Sequence, residues 1–168
     1  MATLQSTRSS SIGLVFPGQG SQSVGMGRAL VEAYPSIRSL YEEASSVLGY
    51  DIAALCFEGP TERLNLTEYT QPALLVSSIA ALHVFKPLGI TPVAVAGHSL
   101  GEYSALVAAG GLAYREAVSI VQKRGRYMAE AVPPGTGLVA ALLGGMSGVV
   151  DSPVQSAVGA VRQFRFQE

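Results

Sequence analysis

The segment from residue 93 to residue 102 constrains the fold of this chain more than any other. A short apolar run, Val-Ala-Val-Ala, stops at Gly97-His98-Ser99-Leu100-Gly101, and an alanine-rich helical pattern follows. A strand that turns sharply at a Gly-x-Ser-x-Gly sequence and continues as a helix places the serine on the crest of the turn. The backbone N–H groups that open the helix then face a bound ligand. We therefore interpret Ser99 as a nucleophile on a strand–turn–helix elbow.

A second glycine-rich loop follows a β-prone run over residues 12–16. Its sequence, Pro17-Gly18-Gln19-Gly20-Ser21-Gln22, is neither a dinucleotide fingerprint nor a Walker loop. It is a binding loop or a plain connection. Because helical patterns separate the two strands, the order predicts an α/β fold with a parallel sheet and flanking helices. Both loops then lie at carboxyl ends of strands, and neighbouring strands would place Gln19 and Ser99 at one crevice.

Hydrophobic periodicity predicts several helices between the loops. One begins at Ser23 and is broken by Pro35, a second has its apolar stripe over residues 37–48 before Gly49, and residues 51–57 add a short helical turn.

Residues 71–86 predict a helix that is apolar on nearly every side, which requires burial of most of its faces. Residues 65–70 are predicted as a loop. Thr70 is the expected N-cap, and Pro72 falls in the first helical turn. His83 lies on this helix, and we interpret it as a hydrogen-bonded packing residue rather than a general base.

The helix predicted over Tyr114–Ala131 carries a cation within its apolar stripe. At 100° per residue, four apolar side chains share one face: Ala117, Ile120, Val121 and Met128. Arg124 falls in the middle of that stripe, where an unpaired buried charge is very costly. Two explanations stay open: an internal ion pair, with Glu102 as a candidate partner, and a clamp for a substrate carboxylate.

A serine hydroxyl requires a base to take its proton and donors to hold the oxyanion formed on attack. In an elbow, the N–H of the residue after the nucleophile points at the oxyanion. That residue is Leu100 here. A loop after another strand supplies the second N–H, and Gln19 is the candidate.

Composition excludes several classes of protein. The 168 residues are 48% hydrophobic and 14% charged, which predicts one globular domain with a core. A net charge of -1 argues against nucleic-acid binding, and the apolar runs are too short to span a membrane. The single Cys56 excludes an intramolecular disulfide, and without a Cys/His cluster no structural metal is expected. A reducing cytoplasm fits best.

Three segments together resemble the malonyl-CoA:acyl carrier protein transacylase family: residues 16–22, 97–102 and 122–126, in the family's order and spacing. The resemblance runs from about residue 12 to residue 144 and implies a hydrolase-like acyltransferase core. It implies that malonyl-CoA acylates Ser99, which passes the malonyl group to the phosphopantetheine thiol of acyl carrier protein. It further implies that Arg124 pairs with the malonyl carboxylate, that Gln19 and Leu100 form the oxyanion hole, and that no cofactor is permanently bound.

The resemblance also implies a catalytic histidine in a later segment that has no counterpart here. The histidines of the chain are His83 and His98. His98 is badly placed to take the Ser99 proton, because adjacent side chains of an extended segment point to opposite sides. We therefore expect impaired activity. A non-catalytic module that binds acyl-CoA or acyl carrier protein is the alternative, and a plain serine esterase is a third, disfavoured by Arg124.

The predicted organisation has three parts. Residues 1–11 form a flexible extension, with a plastid or mitochondrial targeting remnant as the alternative. Residues 12–144 form a partial acyltransferase core, and residues 145–168 form a divergent tail with a weak helix over residues 154–164. We expect strands to be missing from the sheet, so that the exposed core favours self-association.

Overall fold

A computed structural model describes residues 12–89 and 91–131, without the side chain of Lys86. The chain divides into two compact units, Met1–Met128 and Ala129–Glu168. The described residues belong to the first unit, apart from the three that end the last helix. The predictions for residues 1–11, for residues 132–144 and for the tail with its helix at 154–164 lie outside the described residues.

Two parallel strands form the sheet of the described residues. Strand β1 (Gly13–Phe16) pairs with β2 (Ala94–Gly97), and Phe16 lies opposite Gly97 at the carboxyl ends. The loop after β1 and the turn after β2 therefore leave the sheet side by side, at the edge where ligands of parallel sheets bind. The parallel α/β arrangement predicted from the order of strands and helices is confirmed.

Seven α-helices flank this sheet in the described part of the chain. Their bounds are α1 Arg28–Ala33, α2 Arg38–Leu48, α3 Ile52–Glu58, α4 Thr61–Leu64, α5 Thr67–Phe85, α6 Gly101–Ala108 and α7 Tyr114–Ala131, with 3₁₀ turns at Pro35–Ile37 and Lys86–Leu88. The bounds of α7 agree with the prediction. The predicted end of α2 is also confirmed, because Gly49 follows it with a left-handed φ of 78°.

The start of α5 differs from the prediction. The helix begins at Thr67, and the segment predicted as a loop contains its first turn. Thr70 is not the N-cap: its buried hydroxyl donates to the carbonyls of Leu64 and Leu66, at 2.5 and 3.1 Å, and so joins α4 to α5. Pro72 consequently lies inside the helix rather than in its first turn.

The core lies where α2, α3 and α6 pack against α5, with buried side chains of α7 added to it. Its largest fully buried side chains include Tyr41, Ile52, Leu75 and Val121. The predicted burial of α5 holds over its first half, whereas towards its end Phe85 is 47% exposed. Although α5 is strongly apolar, none of the described helices is long and apolar enough to cross a bilayer.

His83 is exposed on the second half of α5. Its side chain forms no hydrogen bond with another described residue, so its interpretation as a hydrogen-bonded packing residue is wrong. The elements that pack over the first half of α5 do not reach this part of the helix.

An apolar cleft opens between β1 and the second half of α5. Its volume is about 350 Å³, and its lining includes Leu14, Phe16, Leu82 and Phe85. Val15 at its rim is 80% exposed, although strands of a parallel sheet are normally covered on both faces. This side of the sheet is therefore open and apolar.

Candidate active site

Ser99 lies on the crest of the turn between β2 and α6. Its φ is 52°, the one positive value at a non-glycine position among the described residues. Such a conformation costs about 1–3 kcal/mol and is concentrated at functional sites. Two backbone hydrogen bonds close the turn, from Gly101 N to the His98 carbonyl at 2.8 Å and from Glu102 N to the Ser99 carbonyl at 3.2 Å. The Ser99 side chain is exposed on this turn.

Two glycines allow the strand and the helix of the elbow to approach this closely. A Cβ atom at Gly97 would overlap the carbonyl group of Gly101, and a Cβ atom at Gly101 would overlap the carbonyl group of Phe16. These neighbours are backbone atoms, which cannot rotate away as a side chain can. The first turn of α6 is therefore held against the ends of both strands.

The glycine-rich loop packs directly against the elbow. His98 N donates to the Phe16 carbonyl at 3.1 Å, and a Cβ atom at Gly18 would stand 2.7 Å from both the carbonyl oxygen and Nδ1 of His98. The loop of residues 17–22 and the Ser99 turn thus share one crevice, as the sequence predicts for neighbouring strands. The His98 imidazole is placed beside Gly18.

The two N–H groups nominated as oxyanion donors have no acceptor in the described part of the chain. Within residues 12–89 and 91–131, neither Gln19 N nor Leu100 N donates to a protein acceptor. Leu100 directly precedes α6, where the first N–H groups of a helix have no intrahelical partner. Its side chain is buried and anchors the turn, whereas Gln19 is exposed in its loop.

Arg124 reaches from α7 to the serine. Its Nη2 donates to Ser99 Oγ at 3.2 Å, and its Nη1 donates to Gln71 Oε1 at 2.7 Å. The centre of the guanidinium lies 5.7 Å from the centroid of the Tyr103 ring. No described carboxylate pairs with Arg124, and the proposed ion pair with Glu102 is absent. A half-buried cation beside Ser99 therefore has only neutral partners among the described residues.

Sequence reasoning missed Gln71. This side chain is fully buried on α5, accepts from Arg124 and donates from Nε2 to Met128 Sδ at 3.2 Å. A polar amide inside a long apolar helix is a signal, since buried polar groups require partners. The sequence could not name the partner, because Gln71 and Arg124 lie on different helices.

The buried face of α7 differs from the predicted stripe. Ala117 and Val121 are fully buried as expected, but Ile120 and Met128 are 40% and 42% exposed. Gly125 is buried instead, because a Cβ atom there would stand 2.8 Å from Glu68 Cα. Because Gly125 has no side chain, the backbones of α7 and α5 approach closely there, and this approach determines which face of α7 packs on α5.

Cys56 is remote from this chemistry. It is fully buried in the core, and burial raises the pKa of its thiol to about 12. The thiol therefore stays protonated and unreactive at neutral pH. Among the described residues no group of three or more His, Cys, Asp or Glu side chains is arranged to hold a metal ion.

Comparisons with known proteins show the family of the chain. Residues 14–156 match the family described as acyl transferase domain. The chain therefore belongs to the acyl transferase domain family. The match ends at residue 156, whereas the family resemblance seen in the sequence ends at about residue 144.

Individual relatives are malonyl CoA-acyl carrier protein transacylases. The chain is 56% identical over 135 residues to that of Bacillus subtilis (strain 168), which covers 80% of this chain and 43% of the relative. For the same protein of Escherichia coli (strain K12) the identity is 53% over 131 residues, or 77% of this chain and 42% of the relative. The chain spans less than half the length of these relatives.

Solved structures show the same fold. The malonyl-CoA:acyl carrier protein transacylase of Xanthomonas oryzae pv. oryzae superposes with a TM-score of 0.79 at 48% identity, over 88% of this chain and 48% of that one. A malonyl-transacylase in complex with a type II polyketide synthase acyl-carrier protein gives a TM-score of 0.72 at 51% identity, over 75% and 41%.

Proposed function

We propose that this chain carries the nucleophile, the oxyanion donors and the carboxylate clamp of a malonyl-CoA:acyl carrier protein transacylase. The proposal rests on one observation: the Arg124 guanidinium donates a hydrogen bond to Ser99 Oγ and has no carboxylate partner among the described residues. A serine hydrolase of neutral esters has no use for a cation at this point, whereas a malonyl thioester carries a negative charge. The names of the relatives support the same substrate.

The reaction proceeds in two transfers at Ser99. Its Oγ attacks the thioester carbonyl, the C–S bond breaks, and coenzyme A leaves as its thiol with the serine proton. The thiol of the acyl carrier protein then attacks the resulting ester, and Ser99 regains its proton as the malonyl thioester departs. In both steps the negative oxygen of the tetrahedral intermediate is held by the N–H groups of Gln19 and Leu100. Losing one such donor costs about 3 kcal/mol in other enzymes.

Arg124 selects the acyl group. A planar guanidinium binds a carboxylate through two parallel hydrogen bonds, which the ammonium of lysine cannot reproduce. Gln71 of α5 accepts a hydrogen bond from Nη1, which fixes the plane of the guanidinium. Because the site is half-buried, the charge is less screened than on an open surface.

The described residues supply no base for Ser99. Its Oγ accepts a hydrogen bond from Arg124, and a guanidinium has donors but no acceptor atom. His83 is exposed on α5 and His98 lies against Gly18. We therefore propose slow acylation by this chain. The same observation favours a second candidate function, a non-catalytic module that binds acyl-CoA or acyl carrier protein.

The transfer requires only a thioester and a thiol. We therefore propose coenzyme A thioester as a substrate, acyl carrier protein as the partner and no permanently bound cofactor. A cytoplasmic location is part of the proposal, since a single buried thiol is typical of a reducing compartment.

The intact mass of the protein after incubation with malonyl-CoA tests this function. We expect a malonyl adduct on the wild type, none on Ser99→Ala, and less adduct from acetyl-CoA. Arg124→Ala should abolish the preference for malonyl over acetyl, while Lys123→Ala, an exposed neighbour on α7, should preserve it. Saturable binding of malonyl-CoA without any adduct would establish the non-catalytic module instead.

A further inference from the structure

Two side-chain hydrogen bonds tie the glycine-rich loop to the turn that joins α4 to α5. Gln19 Nε2 donates to Thr67 Oγ1 at 3.1 Å, and Gln22 Nε2 donates to Asn65 Oδ1 at 2.9 Å. Both acceptors lie outside the sheet and the elbow. The loop is therefore held on a second side, by residues 65–67.

Inside the loop, side chains also set the course of the backbone. Gln22 Oε1 accepts from Gly20 N at 2.8 Å, and Ser21 Oγ donates to the Gly18 carbonyl at 2.9 Å. Gln22 thus uses one end of its amide to hold the backbone next to Gln19 and the other end to reach Asn65. Gln19 lies between two glycines, whose backbone has many accessible conformations. The hydrogen bonds of Ser21 and Gln22 therefore restrict the conformation of the loop.

The same turn contacts the helix that carries the cation. A Cβ atom at Gly125, the residue after Arg124, would stand 2.9 Å from the Thr67 carbonyl oxygen. Residues 65–67 therefore touch both elements that hold the two ends of a malonyl group, the loop with the oxyanion donor and the helix with the clamp.

We propose that Asn65 and Thr67 are positioning residues that hold the Gln19 N–H in line as an oxyanion donor. The proposal rests on the proposed function of Gln19. Neither side chain contacts the substrate; each acts through a glutamine of the loop. An oxyanion donor stabilises the transition state only if it is already aimed at the developing charge, so a loosened loop slows acylation without weakening ground-state binding.

Paired variants separate this role from a structural one. Thr67→Val and Asn65→Leu each remove an acceptor, whereas Thr67→Ser and Asn65→Asp retain it. We expect about fivefold slower acylation of Ser99 by malonyl-CoA for each tether lost, and rates within about twofold of wild type for the retaining variants. Thr61→Val is the control, because the Thr61 hydroxyl forms no hydrogen bond with another described residue. The affinity for malonyl-CoA, measured in a Ser99→Ala background, should stay within about twofold throughout.

If the wild type forms no adduct, that result contradicts the proposed enzymatic function but does not test the positioning role. A second measurement tests the positioning role in that case. Nitrogen-15 relaxation should show the amides of Gln19 and Gly20 less ordered in Thr67→Val and Asn65→Leu than in the wild type and the two retaining variants. Unchanged order of both amides, or equal acylation rates in the removing and retaining variants, would overturn the positioning role.

Discussion

Nη2 of Arg124 donates to Oγ of Ser99 across 3.2 Å, so the cation of α7 lies against the serine of the elbow. A carboxylate is a stronger acceptor for a guanidinium than a neutral hydroxyl. We therefore expect an incoming malonyl group to take over Nη2 and release the serine oxygen for attack. In the proposed enzyme, binding of the correct acyl group therefore also frees the Ser99 oxygen from its hydrogen bond with Arg124.

Gln71 should control the selectivity of the clamp. Gln71→Met preserves the length of the side chain but removes the acceptor of Arg124 Nη1, and we expect the preference for malonyl-CoA over acetyl-CoA to fall about tenfold. Gln71→Glu should abolish that preference, because a carboxylate at this position would pair with Arg124 permanently. Relative affinities for the two thioesters, measured by calorimetry in a Ser99→Ala background, report both effects.

The matched control is Gln122→Met. Gln122 is a half-buried glutamine on α7 that donates to the Leu48 carbonyl at 3.1 Å. The same substitution there should lower stability without altering the ratio of the two affinities. A ratio that stays constant in Gln71→Met would show that the buried amide does not orient the guanidinium.

Gly101→Ala should destabilise the fold strongly. Its new methyl group would overlap the Phe16 carbonyl, and neither backbone can move without separating α6 from β1. We expect a loss of about 3 kcal/mol or more in the free energy of unfolding. Gly111→Ala is the control: its Cβ atom would meet its nearest neighbour, Leu106 O, at 3.7 Å, an ordinary contact. Urea denaturation of both variants measures the difference, and equal midpoints would contradict the close approach.

Stability should decline at alkaline pH as buried acids ionise in the unfolded chain. Burial raises the pKa of Cys56 from 9.0 to about 12 and that of Tyr41 from 10.0 to about 12. Their contribution is therefore complete below pH 9 and is lost as the pH rises towards 12, because the unfolded state releases these protons first. Denaturation midpoints across this range should fall, and Cys56→Ala should move the onset towards pH 10. An onset that does not move would exclude the thiol as the first group to titrate.

The cleft between β1 and α5 should promote self-association. Val15 is 80% exposed at its rim, and most of the lining residues are apolar. We expect sedimentation velocity to show larger species as the protein concentration rises, and Val15→Lys to reduce them. Leu106→Lys, which changes an exposed apolar residue of α6 that does not line the cleft, should leave the association intact. A monomer at all concentrations would contradict this role of the cleft.

The elbow was predictable because its determinants are local. A glycine on either side of a serine, after an apolar run and before a helical pattern, restricts the backbone to a sharp turn whatever surrounds it. The bounds of α7 were predictable for a similar reason, since an amphipathic period extends over its whole length. The position of Arg124 in that period predicted a buried cation in need of a partner.

Other features depend on contacts between distant elements. Thr70 and Pro72 have the residue types of a helix start, but the Thr70 hydroxyl is used to join α4 to α5, so the helix begins earlier. The partner of Arg124 could not be inferred, because the approach at Gly125 sets how α7 meets α5. His83 belongs to an apolar sequence pattern, yet its side chain is exposed, because no described element packs over it.

The pairing of β1 with β2 also determines when the site can form. Gly13 pairs with Ala94 and Phe16 with Gly97, so roughly eighty residues separate the partners in the chain. The entropy of closing so long a loop must be overcome before either strand is stabilised by the other. On a ribosome, the Gln19 loop would emerge long before Ser99. The helices between the two strands can form as they emerge, but the crevice between the Gln19 loop and the Ser99 turn is among the last parts of this unit to appear.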